Sequence, residues 1–60
     1  MILEIRDERP ELAPRLVARH ANVPDNLTSA ETLARYGVAG HLRATLIRDD
    51  EREIIQHGRR

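Results

Sequence analysis

Three histidines, at positions 20, 41 and 57, are the side chains best suited to acid–base work near neutral pH. None stands within four residues of another histidine, and the chain has no cysteine, so no metal-ligand spacing exists along the sequence. His41 or His57 could serve as a general base, but surface or half-buried imidazoles are the simpler reading. The acidic run Asp49, Asp50, Glu51 and Glu53 lacks the spaced oxygen ligands and central glycine of a calcium loop, and reads as a solvated turn. The hydroxyls are those of Thr28, Ser29, Thr32 and Thr45, the first two explained by helix capping. No nucleophile elbow, phosphate-binding loop or dinucleotide fingerprint occurs. The expectation is a protein without catalysis, cofactor, metal or small-molecule substrate.

Binding is the other chemistry available. All ten basic residues are arginine, whose planar fork suits carboxylates, phosphates and guanine edges, although a GC-rich codon usage would give the same composition. Ten acidic residues balance them, so attraction of nucleic acid must come from a local patch rather than from the whole-chain field. The stretch "RYGVAGHLR", residues 35–43, gathers Arg35, Tyr36, His41 and Arg43 around Gly37 and Gly40, and Arg59 and Arg60 close the sequence as a second basic group. These six are the expected nucleic-acid or partner-binding residues.

The elements that must position them are read from periodicity and punctuation. "ILEIR", Ile2 to Arg6, alternates with β-branched residues and reads as a first strand. Leu12, Leu16, Val17 and His20 or Ala21 recur at helical spacing and predict an amphipathic helix over residues 11–21, with Pro10 and Pro14 complicating its start. "NVPDN", residues 22–26, is turn chemistry. Thr28 and Glu31 form a capping box that starts a second helix near Ser29. Gly37 sits where a left-handed residue ends that helix, with Val38 placed to touch Leu33. Beyond His41, "RATLIR", "DDE" and "REIIQH" read as a hairpin, the alternative being a continuous helix with Leu42 and Leu46 on one stripe. The fold class expected is a single α+β domain over residues 1–60, strand-helix-helix-strand-strand; the alternative is mostly α with a continuous C-terminal helix.

A sixty-residue chain buries only about 60% of the surface its unfolded form exposes, and without cysteine it lacks the disulfide staple, so a partner or a second copy is the expected stabiliser. No apolar run spans a membrane and no leader pattern opens the chain, which makes the cytoplasm the expected location.

Three nucleic-acid motifs lie close to the sequence. Gly37 to Gly40 has the GxxG form of a KH loop, but Arg35 and Tyr36 stand where that family is apolar. "AETLARYGVAGHLRATL" approaches a helix-turn-helix but places Ala34 three residues before Gly37 instead of four. "ILEIR" could form the ribbon of a ribbon-helix-helix dimer. Residues 34–60, with "AR", Val38, Leu42 and then "EREIIQHGRR", resemble the core of prevent-host-death antitoxins, whose helix leads to a strand ending in an Ile-x-x-x-Gly-basic motif, here Ile54, Gly58 and Arg59. The resemblance implies a dimeric regulator that binds operator DNA. Two glycines in the helix depart from the pattern, as does the point where the sequence stops. The function expected is a small prokaryotic transcription regulator of antitoxin type, DNA-binding and homodimeric. The alternative is a protein-binding inhibitor or adaptor, such as a phage-encoded anti-defence protein, with no DNA contact.

Overall fold

Alternation in the first seven residues decides the architecture. In the computed structural model, which describes residues 1–9, 13 and 15–58, strand β1 covers Ile2–Asp7. Leu3, Ile5 and Asp7 fall on one side and are buried, while Ile2, Glu4 and Arg6 fall on the other. Three further strands are β2 (Arg15–His20), β3 (Arg43–Arg48) and β4 (Glu51–Gln56). All pairings are antiparallel and the order is β2-β1-β3-β4. A single helix among the described residues, α1 (Ser29–Arg35), joins the two halves of the sheet.

This corrects the expected order of strand, helix, helix, strand, strand, and equally the mostly helical alternative. Residues 15–20, assigned above to a helix over 11–21, form β2; residues 11, 12 and 14 of that expectation lie outside the described residues. Two physical reasons favour the strand. Pro14 would remove a donor from a helix and crowd its preceding turn, and what remains before the Asn22 turn is too short to nucleate a helix well. β1 pairs with β3 along one side only, so without β2 its other row of amides and carbonyls would have no strand partner. The helical spacing of Leu16, Val17 and His20 was misleading because Val17 is an extra residue: Ile5 faces Ala18 whereas Arg6 faces Leu16.

Elsewhere local chemistry acts as read. The Thr28 hydroxyl accepts from the Glu31 amide at 3.1 Å, and the Glu31 carboxylate accepts from the Thr28 amide at 3.0 Å. α1 ends in a Schellman pair: the Val38 amide donates to the Leu33 carbonyl at 3.0 Å and the Gly37 amide to that of Ala34 at 3.2 Å. Gly37 has φ +60°, and a Cβ there would meet nothing within 4 Å, so its requirement is conformational rather than one of space. The expected hairpin is present, with Asp49 and Asp50 as its loop and Arg48 facing Glu51.

The core lies on one face of the sheet. Leu3, Ile5, Ala44 and Leu46 meet Val23, which enters from the loop after β2, where its amide donates to the Met1 carbonyl. Leu33, Tyr36, Val38 and Leu42, from α1 and the segment that follows it, close over this cluster. The opposite face receives no described helix.

Candidate functional site

Because directly paired residues of antiparallel strands share a face, the register maps that uncovered face. Across the middle of the sheet run Arg19, Glu4, Thr45 and Ile54, one from each strand in spatial order. On one side of this row lie Ile2, Ile47 and Arg52; on the other lie Leu16, Arg6 and Arg43. Each strand therefore contributes one arginine to the same surface: Arg19 from β2, Arg6 from β1, Arg43 from β3 and Arg52 from β4. Leu16 and Ile54, 47% and 41% exposed, are among the most exposed large apolar side chains and stand at the two margins.

Glu4 is the one carboxylate among these strand residues, and it is only 8% exposed although no helix or strand among the described residues is laid over it. The long side chains around it supply the cover. The Arg6 Nε donates to Glu4 Oε1 at 2.8 Å, and the Arg52 Nη1 stands 3.8 Å from the same oxygen. The hydrogen bond from Arg6 holds the Glu4 carboxyl below the usual carboxylate range against the opposing effect of burial, with further attraction from Arg6, Arg52 and Arg19. Three guanidiniums thus share one negative charge.

The fourth arginine is incompletely used. Arg43 stands directly opposite Arg6 on the neighbouring strand, a like-charge pairing that is unfavourable unless anions offset it. Its Nη1 reaches the Glu8 carboxylate at 2.9 Å, yet its Nε is buried and has no acceptor among the described residues. Four arginines, two glutamates, of which Glu4 is enclosed, and two exposed aliphatic side chains make a surface suited to an extended anion with apolar or planar parts.

Both margins of the sheet are irregular in a way that bears on binding. The extra residue of each shifted pairing lies on an edge strand, Val17 on β2 and Ile55 on β4. Bulges at edges twist the free row of amides and carbonyls away from a partner strand. Strand addition is disfavoured at both edges, which leaves the face as the natural contact surface.

Of the six residues singled out in the sequence, Arg43 belongs to this face, but the stretch 35–43 does not present the others beside it. Arg35 is exposed in the last turn of α1, on the covered side. Tyr36 caps the helix, packs on the core, and sets its ring 4.7 Å from that of His20. His41 is exposed in the loop before β3 and adds a weak attraction to Asp7, whose carboxylate takes two hydrogen bonds from the Arg9 side chain at 3.0 and 2.8 Å. Those bonds, ahead of the counteracting burial, hold Asp7 below its ordinary range. Arg59 and Arg60 lie outside the described residues. The residues missed are Glu4, Arg6, Arg19 and Arg52; the alternation in "ILEIRD" was the available signal for the first two.

Gly58, in the motif that carried the family resemblance, has a structural task. Its φ is +82° and a Cβ there would lie 2.9 Å from the His41 carbonyl oxygen. Two residues earlier, the Gln56 side-chain amide donates to the carbonyls of Ala39 and Leu42 at 2.8 and 2.9 Å. Together they fasten the segment after α1 to the end of β4.

Among the described residues no three His, Asp or Glu side chains are grouped so as to hold a metal ion, and no helix is long and apolar enough to cross a membrane. No protein family, curated protein or solved structure matches the chain.

Proposed function

We propose that this chain is a small non-catalytic regulator that binds single-stranded nucleic acid across the uncovered sheet face. One observation carries the reading: four adjacent strands each place one arginine on the same face, against two carboxylates, Glu4 and Glu8. Charge complementarity favours a polyanion over a second copy, since each face carries four guanidiniums against two carboxylates and two such faces brought together would repel. Geometry selects a single strand over a duplex groove. Strands are spaced about 4.8 Å apart, so four of them span about 14 Å between backbones before side chains are added, more than the about 12 Å width of a major groove. A two-stranded ribbon enters that groove; this sheet, lying flat, does not. With no aromatic ring on the face, guanidinium planes and the Leu16 and Ile54 side chains would receive the bases while the remaining N–H groups take phosphates.

The reading keeps the nucleic-acid partner and regulatory role implied by the resemblance of residues 34–60 to antitoxins, and moves the contact from the 35–43 turn to the sheet. It does not require the homodimer expected from the chain's size, because one face offers a complete surface.

The test is fluorescence anisotropy with mixed-sequence single-stranded DNA, single-stranded RNA and duplex DNA over a salt series. Single strands should bind tighter than duplex, with a log–log salt slope of about −2 to −3 if three or four arginines each neutralise one phosphate. The DNA and RNA arms show whether the sugar is read. Absence of binding at ~50 mM salt, where phosphate contacts are strongest, overturns the proposal, and preference for duplex overturns its geometric part.

A further inference from the structure

We infer that Glu4 is a built-in competitor for the anion site: its carboxylate occupies the place between Arg6, Arg19 and Arg52 that a ligand phosphate would take, and so sets the affinity of the face. The inference rests on the proposed nucleic-acid reading for its ligand class, and on geometry for its mechanism.

Three features support it. Glu4 lies in the middle row, with Arg19 directly across on β2, Arg6 two residues along its own strand and Arg52 on the diagonal. Its carboxylate holds the Nε of Arg6 at 2.8 Å and lies 3.8 Å from Arg52, so both guanidiniums are turned inward. Neither packing nor pairing at this position demands an acid. Its partner across β3 is Thr45, and a threonine pair would suit two interior strands at least as well as a glutamate. A carboxylate here lowers the repulsion among the arginines of the free protein, and an arriving phosphate must replace or repel it.

The consequence is a face that discriminates by charge density. A single phosphate gains little, because it exchanges one anion for another. A chain of phosphates also reaches the neighbouring, partly exposed guanidinium of Arg43, where it competes with the Glu8 carboxylate. Glu4 thereby favours oligomeric over mononucleotide ligands.

The experiment compares the full chain with Glu4→Gln and Glu4→Thr, the second being the better strand former, after circular dichroism has shown that each is folded. Binding of a labelled single-stranded oligonucleotide is measured at ~50 mM salt and over a salt series. Both variants should bind about fivefold or more tightly, the equivalent of one close unit-charge repulsion removed in water. Their salt slope should steepen by about 0.7, one additional phosphate neutralised. A merely structural glutamate would give the opposite result, weaker binding through loss of an ordered face. Folded variants that bind no tighter than the natural chain overturn this inference and leave the proposed function standing. Binding by the variants but not by the natural chain supports the competitor role and overturns the proposed function. If neither binds, both fail.

Discussion

The two faces of this sheet are made by the same twenty-four strand residues, and alternation sends them to opposite tasks. On the covered face Leu3, Ile5, Ala44 and Leu46 are enclosed by Val23, α1 and the segment after it. On the other, Arg6, Arg19, Arg43 and Arg52 surround Glu4, and Leu16 and Ile54 stand exposed. The covered face is solved internally, through small and aliphatic side chains that match the one short helix laid on them. The uncovered face is solved only in part, since its charges are unequal and one buried Nε has no acceptor among the described residues. A domain this small cannot cover both sides of a sheet, and the side left open is where a partner gains most.

The comparison breaks first on Leu3. Its side chain is 0% exposed at the centre of the covered face, so Leu3→Ala should cost about 2–5 kcal/mol. Sixty residues hold about 3–9 kcal/mol in total at the usual per-residue stability, so urea denaturation should find this variant largely unfolded. Next comes Gly58→Ala. A Cβ placed 2.9 Å from the His41 carbonyl, at a positive φ, forces the C-terminal end of β4 off the loop it fastens, at about 1–3 kcal/mol. A smaller effect, about 1 kcal/mol, is expected for Thr28→Ala, which leaves the Glu31 amide without its acceptor. Thr28 lies away from the arginines, so at temperatures where Thr28→Ala is folded its oligonucleotide binding should match that of the natural chain, whereas the Cβ of Gly58→Ala presses on the Leu42 backbone beside Arg43 and should weaken binding as well.

How far these faces were legible in the sequence depends on the range of the physics involved. β1, the capping box, the Gly37 stop and the C-terminal hairpin are set by residues within a few positions of one another, and each was read where it stands. β2 was not, because its bulge at Val17 shifts the alternation by one and leaves Leu16, Val17 and His20 at helical spacing. The candidate site was mostly hidden for a further reason. Arg6, Arg19, Arg43 and Arg52 become neighbours only through the register of four strands, and with β2 read as a helix Arg19 had no place on the sheet. Arg43 was named, but for its position beside a glycine turn instead of its place opposite Arg6. The turn itself projects Tyr36 inward, against His20 and the core.

Acid separates the faces more gently. Asp7 on the covered side and Glu4 on the uncovered side both titrate below their ordinary values of 3.8 and 4.5, each chiefly through an arginine hydrogen bond. A carboxyl whose folded pKa is depressed contributes stability above its unfolded pKa and loses it as pH falls toward the folded one. Stability should therefore be flat near neutrality and decline from about pH 5 downward. Asp7→Asn and Glu4→Gln should each flatten part of that decline in thermal melts taken across the acid range. An acid profile unchanged in both variants would show that neither carboxylate is held as the geometry indicates.

The smallest expected effect sharpens the contrast most. Ile54 and Leu3 are both large aliphatic strand residues, but Ile54 is on the uncovered face and 41% exposed. Ile54→Thr keeps the β-branch and the cross-strand pairing with Thr45, so stability should change by no more than about 0.5 kcal/mol. If Ile54 receives a base, the same substitution should weaken oligonucleotide binding without altering its salt slope, because no phosphate contact is lost. A large loss of stability would mean that something covers this face in the folded chain, and the face would then cease to be a binding surface. A changed slope would place Ile54 among the residues that organise the arginines. Unchanged stability, weaker binding and a constant slope together would fix the division of labour within the face, with guanidiniums holding the backbone and the aliphatic margin holding the bases.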